Sequence, residues 1–156
     1  MPLVITKEWF ETIKEKWNSD SSNVESLKDS HETILWIVEE LPLSKISGEL
    51  EKSILGSGMV DPAYFQSMKK ENRADLIIKI EGGKITEFRP AKQGEEHTGM
   101  IRGKYSSFEK VVKGEDLIWL IMDGEIHFRG RLPEFAKRLD GYTRLTITFV
   151  SNTELP

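Results

Sequence analysis

The sequence offers three histidines, His31, His97 and His127, and no cysteine. Imidazoles serve as metal ligands and general bases, and thiolates as nucleophiles and zinc ligands. Without cysteine the chain has no disulfide, no thiolate nucleophile and no cysteine metal site. The densest set of hard ligands is Glu95-Glu96-His97. It follows Gln93-Gly94 in a turn-forming context, where polar residues are ordinarily solvated, so it reads as loop surface rather than a metal site. His127 stands between Ile126 and Phe128 and reads as an outward residue of an alternating strand. Gly56-Ser57-Gly58, with Ser53 nearby, follows no strand pattern, so it marks no nucleophile elbow. It also lacks the third glycine and the lysine of a phosphate cradle. Asp75 opens a strand and Asp123 a turn, and neither belongs to a pair of carboxylates set for general acid and base work. The expectation is a protein with no catalytic residue, no metal and no cofactor, and so not an enzyme.

Charge narrows the partners. The net charge is −4, and the 31% of residues that are charged carry both signs, mixed along the chain. No basic footprint exists for a phosphate backbone, so nucleic acid is not an expected partner. The start, MPLVITKEWFETIK, lacks a cationic segment followed by an apolar core, and no run approaches the ~18 apolar residues of a membrane span. A soluble, cytoplasmic protein without stable membrane insertion is expected. Its 156 residues suit one domain, 1–156, able to bury roughly two thirds of its unfolded surface.

The elements that must position any site are organised around residues 105–130. Ser106 and Glu109 form a capping box for a short helix with Phe108, Val111 and Val112 on one face, and Gly114 stops it. Leu117 to Met122 is the longest apolar run; as a helix it is apolar all round and must be enclosed. Asp123-Gly124 then turns into an alternating strand with Ile126 and Phe128 on the core face.

On the N-terminal side, Thr6 caps a helix with Trp9, Phe10, Ile13 and Trp17 along one face. Ser22 and Glu25 suit a second short helix to about Leu27. Residues 31–41 fit either a helix or a buried strand. Within 42–73, Ile46, Leu50, Ile54 and Leu55 have helical spacing, and Asp61-Pro62 is a helix start. A hairpin turns at Gly82-Gly83, setting Ile80 opposite Ile85 and Ile77 opposite Phe88, with Leu76, Ile78, Ile80 and Ile85 on the core face. Gln93 to Glu96 reads as a solvated loop, and Gly99 to Gly103, with Met100 and Ile101, as a further strand. Pro133 opens a helix carrying Leu132, Phe135, Ala136 and Leu139 that Gly141 closes. Arg144 to Phe149 alternates and reads as a final strand, an edge that could pair in a homodimer.

The order of short helix, glycine, apolar helix and Asp-Gly-Glu-Ile-His-Phe-Arg-Gly-Arg-Leu (residues 123–132) resembles the C-terminal half of the sterol carrier protein type 2 (SCP2) family. The hairpin from Ala74 to Phe88 is similar to that family's central hairpin. The resemblance spans about residues 74–140, with a looser match over 7–40, and it favours strand for 31–41. It implies an α+β fold: a mostly antiparallel five-stranded sheet covered on one face by helices, with 42–73 as a helical insertion outside the family pattern. The terminal strand is a second departure.

The family's function would be non-enzymatic binding or transfer of a lipid-like apolar ligand, such as a fatty acyl chain, isoprenoid or sterol-like molecule, in an apolar tunnel between helices and sheet. Each buried methylene of such a ligand contributes about 0.8 kcal/mol, so no catalytic group is needed. The resemblance implies a tunnel wall of Ile13, Trp17, Met100, Phe108, Val112, Leu117, Leu120, Ile121 and Phe135, with the insertion as a lid. The alternative uses the same residues: they close-pack into a dry core, and the domain is an interaction or dimerisation module.

Overall fold

The Thr6 hydroxyl accepts from the Trp9 amide at 3.2 Å and opens helix α1 (Lys7–Ser19), which buries Trp9, Phe10, Ile13 and Trp17 as its spacing requires. A computed structural model describes the whole chain, Met1–Pro156. Helix α2 (Ser21–Ser26) is capped by Asp20 instead of Ser22. Residues 31–41 resolve as strand β1 (His31–Glu39), and the insertion holds a 3-10 turn (Leu43–Lys45), α3 (Gly48–Gly56) and α4 (Pro62–Glu71). Ser47 and Asp61 cap the two helices, with Pro62 in the first turn of α4, where its missing amide hydrogen costs nothing. Strands β2 (Ala74–Glu81), β3 (Lys84–Pro90) and β4 (Gly99–Lys104) follow, then α5 (Tyr105–Val112), α6 (Leu117–Met122), β5 (Ile126–Arg129), α7 (Leu132–Lys137) and α8 (Leu139–Ser151).

The five strands form one sheet in the order β3-β2-β1-β4-β5. The fold is α+β as expected, but the sheet is mixed instead of mostly antiparallel, because β4 runs parallel to β1. After β3 the chain does not turn back on itself. It crosses the sheet and enters beside β1 in the same direction, which a parallel pair requires. In the hairpin Ile80 does face Ile85, but a bulge beside Lys79 and Ile80 sets Phe88 against Ile78 and not Ile77. One extra residue in a bulged strand shifts every later partner by one.

Three expectations of the C-terminal half are corrected. Ser106 lies inside α5, whose cap residue Lys104 makes no side-chain capping bond. Helix α6 is not enclosed: Leu117 and Leu120 are buried, while Trp119 and Met122 are 57% and 67% exposed. Residues 144–149 are helical, within α8, and Gly141 lies inside that helix instead of closing α7. A strand edge for dimer pairing therefore does not exist there. Tyr142, Leu145, Thr146 and Phe149 share the buried face, and the hydroxyls of Thr143, Thr146 and Thr148 donate to carbonyls four residues earlier. Such back-bonding lets threonine sit in a helix despite its strand preference.

The main core lies between the sheet and the helices, with Ile34, Trp36, Val38, Leu76, Ile78, Ile80 and Ile101 pointing into it. The insertion adds Leu43, Ile46, Ile54, Phe65 and Met68 to the same core. It is thus a structural part of the fold and not a detachable cover. Alternation sends Ile37 and Ile77 to the opposite face, where they are buried together with Ala91 outside the main cluster.

Residues 91–98 form a strap across that second face. The Ala91 amide donates to the Asp75 carbonyl and the Thr98 amide to the Thr33 carbonyl, each at 2.8 Å. Glu95, read from sequence as a solvated loop residue, instead anchors the strap. It receives both terminal nitrogens of Arg89 and the Lys92 amide. The Arg89 guanidinium first of all, helped by that amide, holds the Glu95 carboxyl down to about 2. A carboxyl depressed in the folded state stabilises the protein above its unfolded value, and that stability is lost as pH falls through the folded value. The strap's contribution should therefore be full above roughly pH 4.3, the ordinary glutamate value, and fade toward about pH 2. Urea midpoints measured across this range should fall more steeply for the native protein than for Glu95→Gln; parallel curves would show that the latch contributes nothing.

Candidate ligand-binding crevice

Helices α7 and α8 are joined at Arg138, and the spacing of Phe135, Arg138 and Tyr142 by three and four residues puts all three on one side of the pair. That side faces the start of β1 and the end of β5, and a crevice of about 520 Å³ opens between them. Its apolar wall is a row of rings: Phe128 to Phe135 with centroids 4.1 Å apart, then Phe135 to Tyr142 at 4.8 Å and stacked. Ile34 completes the floor. Gly99 and Gly130 also line the crevice. At Gly130, where φ is 150°, a Cβ would sit 3.0 Å from the Phe128 ring, so glycine lets that ring keep its place in the row.

The polar wall is made by residues far apart in sequence. Arg138, whose side chain is only 17% exposed, lies 3.4 Å from Glu134 and 3.7 Å from Glu32. Its Nη2 also donates to the Asp29 carbonyl at 3.1 Å. The other oxygen of Glu32 accepts from the Thr98 hydroxyl at 2.7 Å. Burial, reinforced by the negative charge of Glu32, pushes the Tyr142 phenol up to about 12. It is therefore a neutral hydroxyl, able to donate, at any ordinary pH. Arg131 lines the mouth as a second guanidinium. The arrangement supplies one flat apolar wall and one wall of hydrogen-bonding and charged groups. Nowhere in the chain are three or more His, Asp or Glu side chains gathered to hold a metal ion. Of the acid candidates read from sequence, Asp75 is engaged by the Arg73 guanidinium at 2.8 and 3.2 Å.

Of the nine residues assigned to a tunnel wall, only Phe135 lines this crevice. Ile13, Trp17, Phe108, Leu117 and Leu120 lie in the main core, each no more than 3% exposed, and Ile121 packs against it half-buried. Val112 is 42% exposed. Met100 alternates with the core residue Ile101 and so points to the opposite face of the sheet. The space expected to hold a tunnel is occupied by Trp9, Phe10, Trp36, Phe88, Phe108 and Phe149, whose ring centroids lie 4.8–6.4 Å apart in a connected cluster. The sequence reading missed Glu32, Arg138 and Tyr142. The last two would have emerged from reading residues 139–151 as helix, since they then fall one and two turns beyond Phe135.

No family model matches the sequence, and no curated protein gives a significant match. Solved structures do match in shape. A crystal structure of sterol carrier protein 2 superposes with a TM-score of 0.63 at 10% identity, covering 98% of this chain and 99% of the other. A conserved hypothetical protein of Thermus thermophilus, a candidate sterol carrier protein, gives 0.64 at 12% identity over 98% and 92%. Apo sterol carrier protein 2 from Yarrowia lipolytica gives 0.50 at 9% identity over 94% and 97%. At these identities the likeness establishes architecture and nothing more specific: the chain has an SCP2-like fold.

Proposed function

We propose that this chain binds a small amphipathic molecule in the crevice and performs no chemistry on it. The flat or chain-like apolar part lies along Phe128, Phe135 and Tyr142, and the polar head meets Arg138, Arg131 and the Glu32 carboxylate. The observation that carries this reading is the convergence of a stacked aromatic row and a half-buried arginine on one space of about 520 Å³. That volume falls within the roughly 300–1,000 Å³ of small-molecule sites, which combine an apolar lining with a few placed polar groups. The names of the structures sharing this fold support a lipid-like ligand. No helix is long and apolar enough to cross a membrane, so such a ligand would be carried in a crevice and not along a spanning helix.

A second reading, an interaction module with a closed interior, is favoured by the aromatic cluster that fills the space between helices and sheet. Mass spectrometry of organic extracts of the purified protein, alongside its native mass and titration with fluorescently labelled stearate, separates the two. A co-purifying amphiphile, or probe uptake weakened about tenfold or more by Arg138→Gln, as expected for loss of a charged hydrogen bond, supports the crevice. A clean protein that takes up no probe and changes mass with concentration moves the assignment to the interaction module.

A further inference from the structure

The inserted segment makes a cavity of its own. The turn between α3 and α4 faces the end of β3 and the first residues of the strap across a groove of about 930 Å³. Leu55, Met59, Val60 and Pro62 form one side and Pro90 and Ala91 the other. Met59 and Arg89 also line a smaller adjoining cleft of about 260 Å³, which runs on over Phe10 and Phe88 toward α1. The two spaces thus make one elongated path with a flexible thioether at its midpoint, suited to irregular apolar shapes, and its α1 end is bordered by Lys7, Glu11, Lys14 and Glu87.

The charges along this path are unequally committed. Asp61 is occupied capping α4, where it accepts from the Tyr64 amide at 3.2 Å. Burial first of all, and then the negative charge of Asp75, holds the Tyr64 phenol above its ordinary value, so it stays neutral. Arg89 is held by Glu87 and Glu95. Among the charged side chains of the larger groove, Lys92 is the one that is exposed and enters neither a salt bridge nor a cap, while the smaller cleft holds a second unpaired lysine, Lys14, at its far end beside α1. A groove with an apolar side along Leu55, Met59 and Val60 and an uncommitted ammonium, Lys92, at its rim is complementary to an anion at the end of a hydrocarbon chain. None of the residues lining this groove lines the crevice of the proposed function.

We propose that the groove between the insertion and the strap is a second ligand site, which takes a single-chain carboxylate with its chain along Met59 and its head at Lys92. The site exists because of the insertion and is independent of the crevice, so either can fail without the other.

Methyl and aromatic carbon NMR on the full chain labelled at its methionines, phenylalanines and tyrosines tests this with laurate and, as the uncharged chain of equal length, dodecanol. Met59 reports the groove, Met122 the exposed face of α6, and the Phe128 and Tyr142 ring signals the crevice. Laurate is expected to shift the Met59 methyl, and Lys92→Glu to weaken laurate about tenfold or more while dodecanol changes less than about twofold, as for one charge-assisted contact. Lys92 is exposed, so this variant keeps the fold. The proposal is overturned if laurate leaves Met59 unmoved, if shifts appear only at Phe128 and Tyr142, or if Lys92→Glu binds laurate as well as the native chain.

Discussion

Replacing Gly83 with alanine should lower folding stability by about 2–5 kcal/mol, read as a fall in the urea midpoint. Gly83 has φ of +86°, and a Cβ there would overlap the Val24 carbonyl oxygen and lie 3.0 Å from its carbon. Left-handed backbone costs a residue with a Cβ about 1–2 kcal/mol, and forcing atoms into occupied space adds about 1–3 kcal/mol. The neighbour that must move is main chain, at the end of α2, so relief by a rotamer change is not open to it. The turn is also pinned from the other side. The Trp17 indole donates to the Gly83 carbonyl at 2.7 Å, and the Asn18 amide bonds both backbone groups of Ile85, at 2.8 and 2.9 Å. Asn18 thereby occupies polar groups on edge strand β3 that would otherwise be open to pairing. Gly82→Ala is the control. Its φ is +59°, but a Cβ there meets nothing closer than the Lys28 carbonyl at 4.0 Å, so only the backbone strain of about 1–2 kcal/mol applies. Equal losses in the two variants would sink the idea that α2 is locked onto the hairpin at Gly83.

The same turn shows which parts of this fold can be read from the chain. Helix α1, the hairpin and β5 obey rules that act over a few residues: a cap, a period, a glycine pair. Each was legible, apart from the bulge that moved Phe88 by one partner. The C-terminal helix was not, because Leu145, Ile147 and Phe149 satisfy a period of two while Tyr142, Leu145, Thr146 and Phe149 satisfy a period of 3.6. Threonine and isoleucine tilt the local balance toward strand. Packing decides it: as a helix, this segment buries Tyr142, Leu145 and Phe149 together, which a strand, alternating faces, could not do. The crevice was less legible still. Glu32, Thr98 and Arg138 come from β1, the strap and the joint between α7 and α8, and no local spacing connects them. Phe128 and Phe135 carried a signal, and they did so as parts of an alternating strand and an apolar helix stripe.

Most residues of the apolar stripes are buried, with Val112, Trp119 and Met122 among the exceptions, yet the sequence could not say whether they enclose a tunnel or one another. In the structure Phe149 is the hub of the answer. Its ring lies 5.3 Å from Trp36, 5.6 Å from Trp9, 6.1 Å from Tyr105 and 6.4 Å from Phe108, and its carbonyl accepts from Thr153, which in turn accepts from the Trp9 indole. The Trp36 indole nitrogen, by contrast, is buried without a partner, so the cluster is held by ring packing more than by polar bonds. Phe149→Ala is accordingly expected to destabilise by about 3–5 kcal/mol, the cost of losing a fully buried ring together with the void it leaves. The variant should also gain a property the native chain lacks. A dry cavity lined by aromatic and aliphatic carbon admits small apolar molecules, so benzene should raise the melting temperature of Phe149→Ala and leave the native protein unmoved. If benzene stabilised the native protein as well, and the substitution cost less than about 1 kcal/mol because the site was already open, the space between helices and sheet would be a ligand tunnel after all. In that case the residues first assigned to its wall, Phe108, Leu117 and Leu120 among them, would be the place to look for its occupant.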